Sequence, residues 1–215
     1  MFDKKILIIY LFIINIIISL GMTTNVWAVA QGIYTKPALA FDVYRTIWVF
    51  VGTGDKTDPK GLAASDMLLG IQDIDRSSTW TLTNLQPTGS SSSCTIDPGK
   101  HGWYLALSGT ERCLEDALVS NGRVYFATYI PPAITTGCGN AGESYMHTMD
   151  YQTGCNAEVY DLGAGMAGGA QASVNPADGT TGIYYGVGGT IKRYPDDNPG
   201  NVSGHPIYWR DMRLQ

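Results

Sequence analysis

The residues able to do chemistry are few and scattered. His101, His147 and His205 share no H-E-x-x-H spacing, and no G-x-S-x-G nucleophile elbow occurs. Each histidine therefore reads as structural rather than catalytic. Gly163-Ala-Gly165-Met-Ala-Gly168 has the spacing of a dinucleotide loop, which needs a following helix to hold pyrophosphate at its N-terminus. Asn175, Pro176 and Gly179 would stop such a helix within about two turns. The run reads instead as a glycine-rich turn between strands. Gly54-Asp55-Lys56-Thr57 has the look of a phosphate-loop ending, but the glycine required ahead of it is missing, so it reads as a strand-end turn. Asp73-Ile-Asp75 and Asp196-Asp197-Asn198 could offer oxygens to calcium, yet neither has the D-x-[DN]-x-[DN]-G pattern. Asn201-Val-Ser203 fits a glycosylation sequon.

Four cysteines, Cys94, Cys113, Cys138 and Cys155, allow three complete pairings. None forms a C-x-x-C pair, so zinc has little support, and no C-x-x-C-H haem motif occurs. Cys94 and Cys113 flank the strand GWYLAL and its GTER turn, and Cys138 and Cys155 flank SYMHTMDY and its YQTG turn. One strand and its turns could return each second Cβ to within about 4 Å of the first, which favours Cys94–Cys113 and Cys138–Cys155 disulfides. The alternative is four buried thiols packing as small hydrophobes.

The chain opens MFDKK and continues ILIIYLFIINIIISL, a basic start and an apolar run followed by Val26-Trp-Ala28 and Ala28-Val-Ala30. Residues 1–30 read as a secretory signal peptide cleaved near Ala28 or Ala30. An uncleaved anchor would want about 20 apolar residues, and Asn15 interrupts this run. Export makes disulfides chemically reasonable. The formal net charge is −5 and no basic stretch exists, so nucleic acid is a poor partner.

The elements that must hold these residues are strands. Segments 46–54, 66–74, 102–107, 122–130, 144–151, 157–162, 182–189 and 205–212 are short and rich in β-branched and aromatic residues. Gly, Pro, Asn, Asp and Ser clusters such as PTGSSSS and YPDDNPGN separate them. In GRVYFATYI, Val124, Phe126 and Thr128 face one way while Tyr125, Ala127 and Tyr129 face the other. A strand apolar on both faces needs cover on both, as in a sandwich or in stacked propeller blades. Asp150-Tyr-Gln-Thr-Gly154 reads as a blade turn, with glycine supplying positive φ while Asp and Thr side chains bond the turn backbone.

Several motifs follow one another in a fixed order. Val49-Phe-Val-Gly52-Thr-Gly54 precedes Leu69-Gly-Ile-Gln-Asp73, then Trp103-Tyr104-Leu105-x-Leu107 and Gly109-Thr-Glu111-Arg112. Val119-x-x-Gly122-Arg-Val-Tyr-Phe126-x-Thr128-x-x-Pro131 comes next, followed by Cys138, Asp150-Tyr-x-Thr-Gly154 and a terminal Tyr208-Trp209-Arg210. Over about residues 33 to 212 this order resembles the C-terminal β-propeller of the type IV pilus tip adhesins, the PilC/PilY family.

The resemblance implies an all-β, β-propeller-like array of short antiparallel blades over residues 31–215, expected to be incomplete. It implies a non-catalytic binding role in pilus assembly or surface adhesion, in the periplasm, at the outer-membrane surface or on the pilus. Partners would be minor pilins, a surface receptor or another chain completing the propeller. Family propellers bind calcium through an Asp-rich loop upstream of the matched segment. That loop has no counterpart here, so no cofactor is expected and calcium is carried onto no residue. The alternatives are a quinoprotein-like dehydrogenase fragment, suggested by the Asp150–Gly154 turn, and a truncated gene product. Arg112 is expected to be structural, its guanidinium bridging backbone carbonyls between strands.

Overall fold

Apolar β-branched and aromatic residues, alternating or continuous, favour extended backbone, and glycine and proline clusters break it into short pieces. A computed structural model describes residues 32–61, 66–74, 80–88, 94–133, 141–175 and 178–194. The expected signal peptide, Asp75, Cys138, Asp196–Asn198, Asn201–Ser203 and the 205–212 segment with its His205 lie outside these residues. The described residues form β1 (Ala38–Phe41), β2 (Ile47–Gly52), β3 (Met67–Asp73), β4 (Gln86–Pro87), β5 (Gly102–Ala106), β6 (Arg112–Cys113) and β7 (Leu118–Ser120). They continue with β8 (Arg123–Ile130), β9 (Glu143–Asp150), β10 (Glu158–Ala164), β11 (Gln171–Val174), β12 (Thr181–Val187) and β13 (Thr190–Tyr194). The only helical element among them is a 3-10 turn, Leu82–Asn84, and none is long and apolar enough to cross a membrane.

The strands make three sheets, none of them closed. The first runs β1-β2-β3-β5-β4 and is antiparallel except for the parallel β4–β5 pair. The second runs β10-β9-β8-β6, with β7 also paired to β8, and the third is β11-β12-β13. Short antiparallel returns join β1 to β2, β7 to β8, β9 to β10, β11 to β12 and β12 to β13. The link from β5 to β6 carries the chain from the first sheet into the second, and the link from β10 to β11 carries it into the third.

The second sheet is covered on both faces. Val124, Phe126 and Met149 pack with Trp48, Phe50, Leu68 and Trp103 of the first sheet. Tyr125, Ala127, Met146 and Leu162 pack with Ile183, Tyr185, Val187 and Tyr194 of the third. β8 lies at the centre of this stack, with every residue from Val124 to Tyr129 buried. Its two apolar faces each meet a different sheet, which is the cover its sequence requires. A smaller cluster of Val51, Leu69 and Leu85 lies on the other face of the first sheet.

The Gly163–Gly168 run does not open a helix. Gly163 and Gly165 take φ of 102°, the pairing of β10 with β9 shifts register between Asp161 and Gly163, and the chain passes on to β11. Positive φ at both positions explains why glycine stands there.

Candidate functional site

The interior of a stacked-sheet protein should be apolar, so its buried polar side chains mark where sequence has been used for something else. The largest such group lies on β8, β9 and the residues leading into β6. Phe126 pairs with His147 across β8 and β9, which puts His147 on the same face as Phe126 and Thr128, between the first and second sheets. Glu111 precedes β6 and reaches the same place. Its Oε1 accepts the Thr128 hydroxyl at 2.6 Å and lies 2.6 Å from His147 Nε2. All three residues are buried. The His147 Nδ1 has no hydrogen-bond partner among the described residues.

Burial pushes the Glu111 carboxyl up, but the hydrogen bonds from His147 and Thr128 outweigh it and hold the group below its usual range. The Thr128 hydroxyl donates to Glu111 inside the interface between the two sheets, where both side chains are closed off from solvent. Cys113 lies nearby in β6 with its thiol pushed up to about 12 by burial. A thiol so strongly protonated is a poor nucleophile. The geometry can therefore brace three segments through one carboxylate.

Arg112 stands beside Glu111 and is buried. Its Nη1 donates to the Asp58 carbonyl at 2.7 Å, Nη2 donates to the Gly61 carbonyl, and Nε donates to the Thr110 carbonyl at 3.4 Å. One planar cation thus ties the loop after β2 to the start of β6. Arg112→Ala should lower stability by about 1–3 kcal/mol, because the carbonyls left behind lose a charged donor. Denaturant unfolding measures this. An unchanged midpoint would remove Arg112 from the framework.

The Asp150 turn is built by side-chain acceptors. Asp150 Oδ1 accepts the backbone N–H groups of Gln152 at 3.0 Å and Thr153 at 2.8 Å, and the Thr153 hydroxyl at 2.9 Å. Gly154 follows with φ of 67°. Asp55 with Thr57 and Asp178 with Thr180 repeat the same carboxylate-to-threonine capture at two other loops. The hydrogen bonds hold both carboxyls below their usual range. The Lys56 and Thr57 groups of the phosphate-loop lookalike belong to this turn, where Lys56 pairs with Glu115 at 3.2 Å.

The structure does not join Cys94 to Cys113. Cys94 is exposed, whereas Cys113 is a buried free thiol against Gly52 whose Sγ lies 3.5 Å from the carbonyl oxygens of both Glu115 and Ala127, either of which can accept its one proton. The expected return did not occur because the chain leaves the first sheet after β5. Cys113 is thereby placed beside Gly52, whose register partner Leu68 pairs with Leu105 near the end of β5. Cys94 belongs to the loop held by Gln86, which pairs with Trp103 near the start of β5. The Cys138–Cys155 pairing falls outside the described residues at Cys138.

Asp73 ends β3, and His101 sits with its ring 4.2 Å from that of Trp80. Among the described residues no group of three or more His, Cys, Asp or Glu side chains is arranged to hold a metal ion. The missing partner in the sequence reading was Glu111. Alternation along SYMHTMDY puts His147 on the face of Met149, which signals a buried histidine needing an acceptor, but that acceptor lies 36 positions away. On the surface, Phe41, Val43 and Tyr44 are exposed at the β1–β2 hairpin. Asp42 Oδ1 stiffens this tip by accepting the N–H groups of Tyr44 at 2.9 Å and Thr46 at 2.8 Å.

No family model matches the chain. Over 61 residues it is 34% identical to a protein of Xylella fastidiosa (strain Temecula1 / ATCC 700964) described as a type IV pilus biogenesis factor PilY1 homolog. The match covers 26% of this chain and 4% of that relative.

Proposed function

We propose that this chain is an exported, non-catalytic binding module acting in type IV pilus assembly or surface attachment. The observation that carries the reading is the similarity of a 61-residue segment to a pilus biogenesis relative. The fold supports it. Three short, mainly antiparallel sheets are stacked through apolar faces, the middle one covered on both sides, an arrangement suited to propeller-like blades. The polar network supports it as well, since Glu111 and Arg112 spend their hydrogen bonds on holding segments together. A stiff scaffold with an exposed aromatic hairpin is what a binding role needs. The partners would be minor pilins, a surface receptor or a second chain completing a propeller, with no cofactor.

Deleting the gene should reduce surface piliation, twitching or attachment, and a plasmid-borne copy should restore them. Normal piliation, twitching and attachment in the deletion strain would overturn the reading.

A further inference from the structure

Two cysteines far apart in sequence meet where the first and second sheets abut. Cys94 is the thiol neighbouring Cys155, close enough to help raise it above its ordinary range. Each stands on anchored backbone. On the Cys94 side, Gln86 Nε2 donates to the Thr95 carbonyl at 3.0 Å and Gln86 Oε1 accepts the Asp97 N–H at 2.7 Å. On the Cys155 side, the Asp150 carbonyl accepts the Gly154 N–H at 2.9 Å, and Asp150 N–H donates back to the Cys155 carbonyl at 2.9 Å. The two sides are also joined directly, because the Thr88 hydroxyl donates to the Gly154 carbonyl at 2.5 Å. The thiols are therefore held together by structure that does not depend on a bond between them.

We infer that Cys94 and Cys155 form a disulfide that clamps the loop after β4 to the turn between β9 and β10. The chemistry is thiol–disulfide exchange with a disulfide oxidant. The exposed Cys94 thiolate attacks the oxidant disulfide, forms a mixed disulfide and expels one thiolate. The Cys155 thiolate then attacks the Cys94 sulfur and expels the second. Two S–H bonds are lost and one S–S bond forms, while the oxidant disulfide becomes two thiols. Burial holds the Cys155 thiol above its ordinary range, with the neighbouring Cys94 adding to the effect, so closure should quicken as pH rises. Cys113, buried in the interface between the first and second sheets, is out of reach of the oxidant in the folded protein.

The test uses the full chain, purified reduced, then incubated folded with oxidised glutathione, alkylated and mapped. The proposal expects a peptide joining Cys94 to Cys155, lighter by two hydrogens than the sum of its thiol halves, with Cys113 alkylated only after denaturation. Glutathione retained on Cys94 beside a Cys155 thiol would overturn it, as would Cys94 linked to Cys113 or Cys138. Oxidation should also raise the melting temperature of the wild-type chain, and Cys94→Ser should abolish that rise. A rise that persists in the variant would place the stabilising bond elsewhere. Because the oxidant is supplied to purified protein, a failed cross-link would leave the export reading standing, and a failed pilus phenotype would leave the cross-link standing.

Discussion

Trp103→Ala should be among the most damaging single substitutions in the chain, lowering stability by about 3–5 kcal/mol. Trp103 stands in β5 and is completely buried. Its ring lies between Phe50 of its own sheet, with centroids 6.2 Å apart, and Phe126 of the second sheet, at 6.4 Å and nearly perpendicular. Its indole N–H donates to the Tyr151 carbonyl at 3.0 Å, so one side chain joins the first sheet, β8 and the Asp150 turn. Two glycines make room for it. A Cβ at Gly70 would run into the indole, and one at Gly154 would come within 2.7 Å of the ring. Truncation therefore opens a large cavity lined by aromatic rings and also takes the indole donor from the part-buried Tyr151 carbonyl. Trp103→Phe should cost less, since it keeps an aromatic ring in the slot and loses only the donor and part of the volume. Chemical denaturation of both variants measures the effect. A loss below about 1 kcal/mol for the alanine variant would mean that the two sheets are not held through this ring.

The same residues show how far the sequence can be read. Strands that bury two apolar faces were legible because nothing but extended, covered backbone suits them, and β2, β8 and β9 appear within a residue or two of their expected bounds. β4, β6 and β7 were not legible, because two or three residues carry no periodicity. β13 was missed for another reason: four of its five residues are exposed, so its pairing with β12 rests on backbone hydrogen bonds that composition does not reveal. The Asp150 turn could be read locally, since its donors and acceptors lie within a few residues of one another. The cysteine pairing could not. It depends on whether the chain turns back after β5 or crosses to the next sheet, and the GTER turn is compatible with either. Glu111 and His147 fail in the same way, as a contact fixed by strand register and by no local pattern.

Glu111→Ala should lower stability at neutral pH by about 3–5 kcal/mol, the usual result of removing one partner from a buried charged network. The loss has two sources. The Thr128 hydroxyl and His147 Nε2 both give up their acceptor, and neither is open to water. Glu111→Gln keeps a side-chain oxygen of nearly the same shape and should lose less. It also isolates the charge. The folded carboxyl lies below its ordinary range, so its stabilising contribution is fully present above the unfolded pKa, near 4.3, and falls away as pH drops through the folded value. The wild-type chain should accordingly lose its advantage over Glu111→Gln as pH falls below about 4. The measurement is denaturant unfolding of both proteins from pH 7 to pH 3. A gap of constant size across that range would mean that the Glu111 carboxylate is not what holds Thr128 and His147 in place.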